Sequence, residues 1–221
     1  MHESQSRLFE NHPACSAEFW HALTPALARE FPSLARADAD ELVLAANRSN
    51  PCANRQTADE LTHPLHIVVR YELERVVSDG MLPVADLEDV WRAKYEEYLG
   101  VTPVDAREGV LQDVHWANGC VGYFPSYVLG DMYAAQIFDA LLVDVPDVFA
   151  RLGEGDSSGM CGWLREHVWR FGQTYTASET LCLATGADLD VDHYLAHLRR
   201  RFCRRVRGGA AGAEAGGVPR R

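Results

Sequence analysis

Apolar positions along this chain recur at helical spacing. In SAEFWHALTPALAREF (16–31), Phe19, Leu23 and Leu27 fall at i, i+4 and i+8, with Trp20 and Phe31 beside them, which predicts an amphipathic helix. DADELVLAANR (38–48) reads as a shorter helix. ADELTHPLHIVVRYELERVVSDG (58–80) predicts a long one that tolerates Pro64 near its start and stops at Gly80. VADLEDVWRAKYEEYLG (84–100) places Leu87, Val90, Trp91 and Tyr95 on one face and ends at Gly100. Four more helices are predicted within SYVLGDMYAAQIFDALLVDV (126–145), SGMCGWLREHVWRFG (158–172), TASETLCLATG (176–186) and VDHYLAHLRRRFCRR (191–205).

Two stretches break the pattern. PCANRQT (51–57) is turn-like or extended. GVLQDVHWANGCVGYFP (109–125) mixes aromatics with polar groups, three glycines and a proline, and reads as a structured loop with room for one short strand. No region shows several alternating strands and no internal repeat is present. The class is therefore all-α with at most a short β element. The end of the chain, RGGAAGAEAGGVPRR (207–221), is poor in apolar bulk and is expected to be a disordered, solvated tail. The expected organisation is a helical body over 1–198, followed at 199–221 by the Arg-rich end of the last helix and that tail.

Composition adds limits. Hydrophobic residues make up 47% of the chain and aromatics 10%, enough for a packed core. The net charge of −11 hides an asymmetry, because residues from Arg199 onward carry eight arginines against Glu214 alone. About −18 is left on residues 1–198, a poor surface for phosphate backbones, so nucleic acid is not an expected partner. Nor is a membrane, since no apolar run approaches about 18 residues and no signal peptide is recognisable. The six cysteines form no CxxC pair and no zinc-finger spacing; free thiols in a reducing cytoplasm are expected.

The densest chemistry lies in the irregular loop. Gln112, Asp113, His115 and Trp116 occupy five positions, and Tyr123 and Tyr127 follow a glycine-rich turn. Such a loop can aim donors at a developing oxyanion, or its polar groups can simply satisfy each other. Asp113 is placed to orient a neighbour that the sequence does not specify. Arg55 can fork onto a carboxylate, or pair with Asp59 or Glu60. Asp59 reads as an N-cap or first-turn acid. His63 and His66, at i and i+3, are a weak metal pair. Glu3 beside His2 is either a metal ligand or a solvated helix-start acid, and one carboxylate does not make a zinc site.

Taken together, HESQSR (2–7), NRQTAD (54–59), GVLQDVHW (109–116) and GYFPSYVLG (122–130) resemble the carboxypeptidase Taq family of zinc metallocarboxypeptidases, which remove C-terminal residues from peptides. The family motifs HES-x-x-R and G-x-x-Q-D-x-H-W match in full. The motif [IV]-R-x-x-A-D departs at Asn54, where the family has an apolar residue. The resemblance runs from residue 2 to about residue 200. It implies an all-helical, grooved, zincin-related fold. It also implies that Glu3 is the third zinc ligand and that Arg55, with Gln112 on the substrate-binding side, takes a peptide's free C-terminal carboxylate. His115 and Tyr123 are implied to stabilise the tetrahedral intermediate, with Tyr127 a further candidate.

The family's HExxH helix supplies the other two zinc ligands and the general base. This sequence has no HExxH. The expectation is a C-terminal portion of a longer enzyme, inactive alone. Its expected partners are a peptide substrate and either a second copy in a homodimer or the N-terminal half in trans. The alternative is a non-catalytic helical binding or scaffold protein derived from the same family.

Overall fold

Ten α-helices succeed one another within residues 1–203, the part of the chain that the computed structural model describes, and no strand occurs among these residues. They are α1 (His2–Asn11), α2 (Ala17–Glu30), α3 (Ala39–Ala46), α4 (His63–Ser78), α5 (Leu87–Leu99), α6 (Pro125–Asp144), α7 (Val148–Gly153), α8 (Ser158–His167), α9 (Ala177–Thr185) and α10 (Val191–Leu198). Residues 109–124 form successive turns, without the short strand they had room for. The tail expected over 207–221 lies outside the described residues.

The chain forms two compact units. The first comprises Met1–Ala14 and Arg48–Ala134. Its core lies between α4 and α5, where Val69 and Leu73 meet Leu87, Trp91, Tyr95 and Leu99. The α5 residues fall one turn apart, so a single stripe is buried, and Trp91 stacks on Tyr95 with ring centroids 5.0 Å apart. Leu73 is fully buried, and full burial of a leucine contributes about 1.5–3 kcal/mol. Gly100, at φ +64°, ends α5 in the left-handed conformation that favours glycine.

The start of α4 departs from the expected helix over 58–80. Asp59 accepts hydrogen bonds from the backbone N–H groups of Asn50, Leu61 and Thr62 and from the hydroxyls of Ser49 and Thr62. These bonds hold residues 58–62 in a separate turn, and the helix begins only at His63. Burial raises the Asp59 pKa, but these bonds outweigh it and hold the carboxyl below its ordinary value.

The second unit comprises Cys15–Asn47 and the chain from Ala135 onward. Here α2 packs on α3 and α7, and Ile137, Leu141, Leu164 and Leu181 are fully buried. The apolar stripe of α2 is only half-buried, and Phe31 is exposed. After α10 the chain widens into a π-helical turn, Arg199–Cys203. There Arg201 returns to donate to Asn47 Oδ1 at 3.0 Å.

Candidate active site

Every candidate residue lies in the first unit. Glu3 sits in the first turn of α1, where the helix dipole favours a carboxylate. Ser4 and Leu8 are fully buried, which turns Glu3 outward. Its position depends on Gly130 of α6. A Cβ built at Gly130 would lie 3.1 Å from Glu3 Cγ and 3.3 Å from Cβ, so only glycine admits this approach without displacement. One turn along α1, Arg7 pairs with buried Asp131 and, at 2.8 Å, with Glu10.

Arg55 opens a 3₁₀ turn, Arg55–Thr57, whose first free N–H, that of Gln56, is capped by Asn54 Oδ1 at 2.9 Å. The polar residue at 54 thus has a local role: it fixes the turn that carries Arg55. The guanidinium pairs with neither Asp59 nor Glu60. It donates from Nε and Nη2 to Asp113 Oδ2, at 2.9 and 2.8 Å. It also lies over the rings of Phe124 and Tyr127, at 5.3 and 4.6 Å from their centroids.

Asp113 is the hub of the loop. Its Oδ1 bonds His115 Nδ1, and His115 Nε2 meets the Tyr127 hydroxyl at 2.9 Å. Burial pushes the Asp113 pKa up, but bonds from Arg55 and His115 and the charges of Arg55 and Arg70 hold it below its ordinary value. Beside a carboxylate, Nδ1 carries the imidazole proton, so in neutral His115 Nε2 accepts from the Tyr127 O–H. Burial raises the Tyr127 pKa, which keeps the phenol protonated at neutral pH.

A cavity of about 240 Å³ brings together Glu3, Arg55 and Tyr127, with Arg7, Glu10, Gln56 and His63 completing its polar lining. The other candidates stand apart from it. His115 lies behind Tyr127. Tyr123 stacks on the imidazole, ring centroids 5.4 Å apart, meets Tyr127 edge-on at 5.5 Å, does not line the cavity and is 47% exposed. Tyr127 is therefore the tyrosine that faces the cavity.

Gln112 holds structure here. Its carbonyl accepts from Arg55 N–H at 2.9 Å, and its amide donates to the backbone oxygens of Ala53 and Glu108 at 3.0 and 2.8 Å. With both ends engaged, it ties the Arg55 turn to the loop.

The histidine pair on α4 does not converge on a metal. His66 is buried against Tyr95, with Nδ1 3.0 Å from the hydroxyl. Burial, then the charges of His63 and Arg55, push its pKa down to about 4. His63 Nδ1 faces Asp131 Oδ2 at 3.6 Å, too far for a hydrogen bond. Among the described residues, no group of three or more His, Cys, Asp or Glu side chains could hold a metal ion. Glu3 is one carboxylate where a catalytic zinc needs three protein ligands. The donors present therefore do not fit a complete metal centre.

Sequence reasoning passed over two α4 residues that build the site. Glu74 Oε1 accepts from Trp116 Nε1–H at 2.9 Å and from Gly122 N–H at 2.8 Å, which pins both sides of the 115–122 turn. Arg70 is buried under the same loop. The signal for both was their place on the core stripe of α4, in register with His63, His66, Ile67 and Leu73. Charged residues at core positions need partners, and here the loop either is that partner or covers them.

Comparison with known proteins agrees with these motifs. The sequence profile described as Carboxypeptidase Taq (M32) metallopeptidase matches residues 1–202. Carboxypeptidase 1 of Bacillus subtilis (strain 168) is 40% identical over 203 residues, which cover 91% of this chain and 40% of the relative. Thermostable carboxypeptidase 1 of Thermus thermophilus is 37% identical over 202 residues, again 91% of this chain and 40% of the relative. The crystal structure of the M32 carboxypeptidase from Deinococcus radiodurans R1 superposes with a TM-score of 0.88 at 40% identity, covering 92% of this chain and 41% of that one. This chain thus spans about 40% of the length of the curated relatives it matches. It belongs to the carboxypeptidase Taq (M32) metallopeptidase family.

Proposed function

We propose that this chain carries the substrate-binding and oxyanion-stabilising side of a zinc-dependent metallocarboxypeptidase that removes C-terminal residues from peptides. The observation that carries this reading is the shared cavity of Glu3, Arg55 and Tyr127. Arg55 is held in place by Asp113 and has an edge toward the cavity, which suits a peptide's free carboxylate. Glu3 supplies one ligand to the zinc, and the remaining ligands and the general base come from polypeptide outside the described residues. Zinc, when bound, supplies the Lewis acid.

The loop supplies proton control. Tyr127 has a single hydroxyl proton. While His115 is neutral, that proton is donated to Nε2. A protonated imidazole donates from Nε2 to the phenol oxygen instead, and the hydroxyl proton is then free for an oxyanion in the cavity. Tyr123 acts through its stacking on His115.

No helix among the described residues is long and apolar enough to cross a membrane, and all six cysteines are free. We assign the chain to the cytoplasm, where thiols stay reduced. Its partner is either a second copy in a homodimer or the rest of the family fold, in a longer protein or in trans.

The test mixes this chain, with zinc, with the N-terminal portion of the Bacillus subtilis relative and follows release of the C-terminal amino acid from a blocked dipeptide. Turnover in the mixture and not from this chain alone is expected, and Arg55→Met should abolish it. A folded, associated mixture with no zinc uptake and no turnover would overturn the reading and leave a helical binding protein.

A further inference from the structure

His63 is a polar side chain of the cavity that the proposed function leaves unused. It is the first residue of α4, and its backbone N–H donates to the Asp59 carbonyl at 2.8 Å. The imidazole lines the cavity together with Arg55 and Tyr127, although the residue is only 7% exposed. Its Nδ1 is enclosed and has no hydrogen-bond partner.

The group facing Nδ1 is equally incomplete. The Asp131 side chain, on α6, is fully buried. Its Oδ1 accepts from Arg7 Nε and from Asn11 Nδ2, the latter at 3.4 Å. Its Oδ2 is enclosed, has no partner, and lies 3.6 Å from His63 Nδ1. Two orphaned polar atoms facing each other each carry a desolvation cost, and a closure of about 0.6 Å would join them in an ordinary hydrogen bond. A carboxylate oxygen only accepts, so in the neutral ring Nδ1 carries the proton and Nε2 is left as an acceptor for a ligand. The same device, an aspartate at Nδ1, turns His115 Nε2 toward Tyr127.

We propose that His63, its tautomer fixed by Asp131, is a specificity-determining residue whose Nε2 accepts the amide N–H of the C-terminal residue that Arg55 holds by its carboxylate. The proposal rests on the role proposed for Arg55. A peptide's last residue carries both features on one α-carbon: a carboxylate that needs donors and an N–H that needs an acceptor. In the cavity, Arg55 and Arg7 only donate, the Tyr127 hydroxyl is engaged with His115, and Glu10 is paired with Arg7. His63 supplies the acceptor. A site built in this way favours an acylated amino acid over an acid that lacks the N–H, because the substitute leaves Nε2 unpaired.

The test compares the binding of N-benzoylglycine and O-benzoylglycolic acid to the full chain, followed at the Arg55 Nε–H resonance; the second acid has an ester oxygen in place of the N–H. N-Benzoylglycine should bind about tenfold more tightly, since the ester sets an oxygen lone pair against Nε2. In His63→Leu the two acids should bind alike and still move Arg55. Nitrogen-15 NMR of the wild-type imidazole reads the tautomer without any ligand, metal or turnover: in the neutral ring a proton on Nδ1 is expected, and one on Nε2 overturns the proposal. A ratio near one in the wild-type chain, with both acids moving Arg55, overturns it too and leaves the carboxylate site standing. So does a leucine variant that keeps the tenfold ratio. If neither acid binds, the carboxylate site fails and this proposal falls with it. Should the leucine variant not fold, the wild-type ratio and tautomer decide.

Discussion

The two units begin their helices differently. In the second unit, Ser16, Asp38, Thr176 and Asp190 cap α2, α3, α9 and α10 through their own side chains, and only α7 and α8 lack such a bond. Thr176 and Glu179 form a reciprocal capping box. In the first unit, α1, α4 and α5 have no side-chain cap. Its polar groups reach across the sequence instead: Arg55 to Asp113, 58 residues away, and Trp116 to Glu74, 42 residues away. The second unit combines local caps with distant contacts such as Arg201 to Asn47. The first leaves α1, α4 and α5 without side-chain caps, and its distant contacts build the candidate site. Stability and site geometry should therefore be coupled in the first unit and separable from each other in the second.

Asp113→Ala should separate the units most sharply. It leaves the largely buried Arg55 without its anion and releases His115 Nδ1, so a loss of about 3–5 kcal/mol is expected in urea unfolding, with faster amide exchange in the 112–124 loop. A loss under about 1 kcal/mol would mean the distant contacts do not hold this unit.

pH acts in the same unit. His66 has a folded pKa of about 4 against an unfolded value of about 6.5. The unfolded chain therefore binds the extra proton between those values, and stability falls as pH drops from about 6.5 to 4. One proton corresponds to about 1.4 kcal/mol per pH unit. His66→Gln should flatten that slope in chemical denaturation.

Glu74→Leu should cost about 2 kcal/mol, because Trp116 Nε1–H and Gly122 N–H lose their shared acceptor. Faster hydrogen exchange at the Gly122 amide would report it. The smallest effect belongs to the second unit. Thr176→Ala should cost about 1 kcal/mol and leave the resonances of Arg55, His115 and Tyr127 unmoved. Movement of those resonances would break the contrast.

The same contrast explains what the sequence makes legible. Helix α5 is readable because Leu87, Trp91 and Tyr95 repeat once per turn and Gly100 stops the helix. Helix α9 is readable from its capping box. Helix α1 is not, since HESQSRLFEN has only Leu8 and Phe9 as apolar residues and is fixed by packing at Gly130. The short α7 is likewise too brief to show a period.

At the site, the motifs point to Glu3, Arg55, His115 and the two tyrosines, but spacing cannot tell which tyrosine turns inward. That depends on how α6 and the loop present Tyr127 to the cavity. Gln112 carries no mark in the sequence that its amide is consumed by the backbone. Arg70 and Glu74 stand in an ordinary helical stripe and become visible only when the loop folds over them.

Under the proposed function, Arg55, held by Asp113, presents a carboxylate site in the cavity beside Glu3 and Tyr127. The most direct test titrates the full chain with N-benzoylglycine and, separately, with its amide, following the Arg55 Nε–H and Tyr127 ring resonances. The free acid should move both and the amide neither. Equal response to acid and amide, or no response of Arg55 to the acid at millimolar concentration, would contradict it.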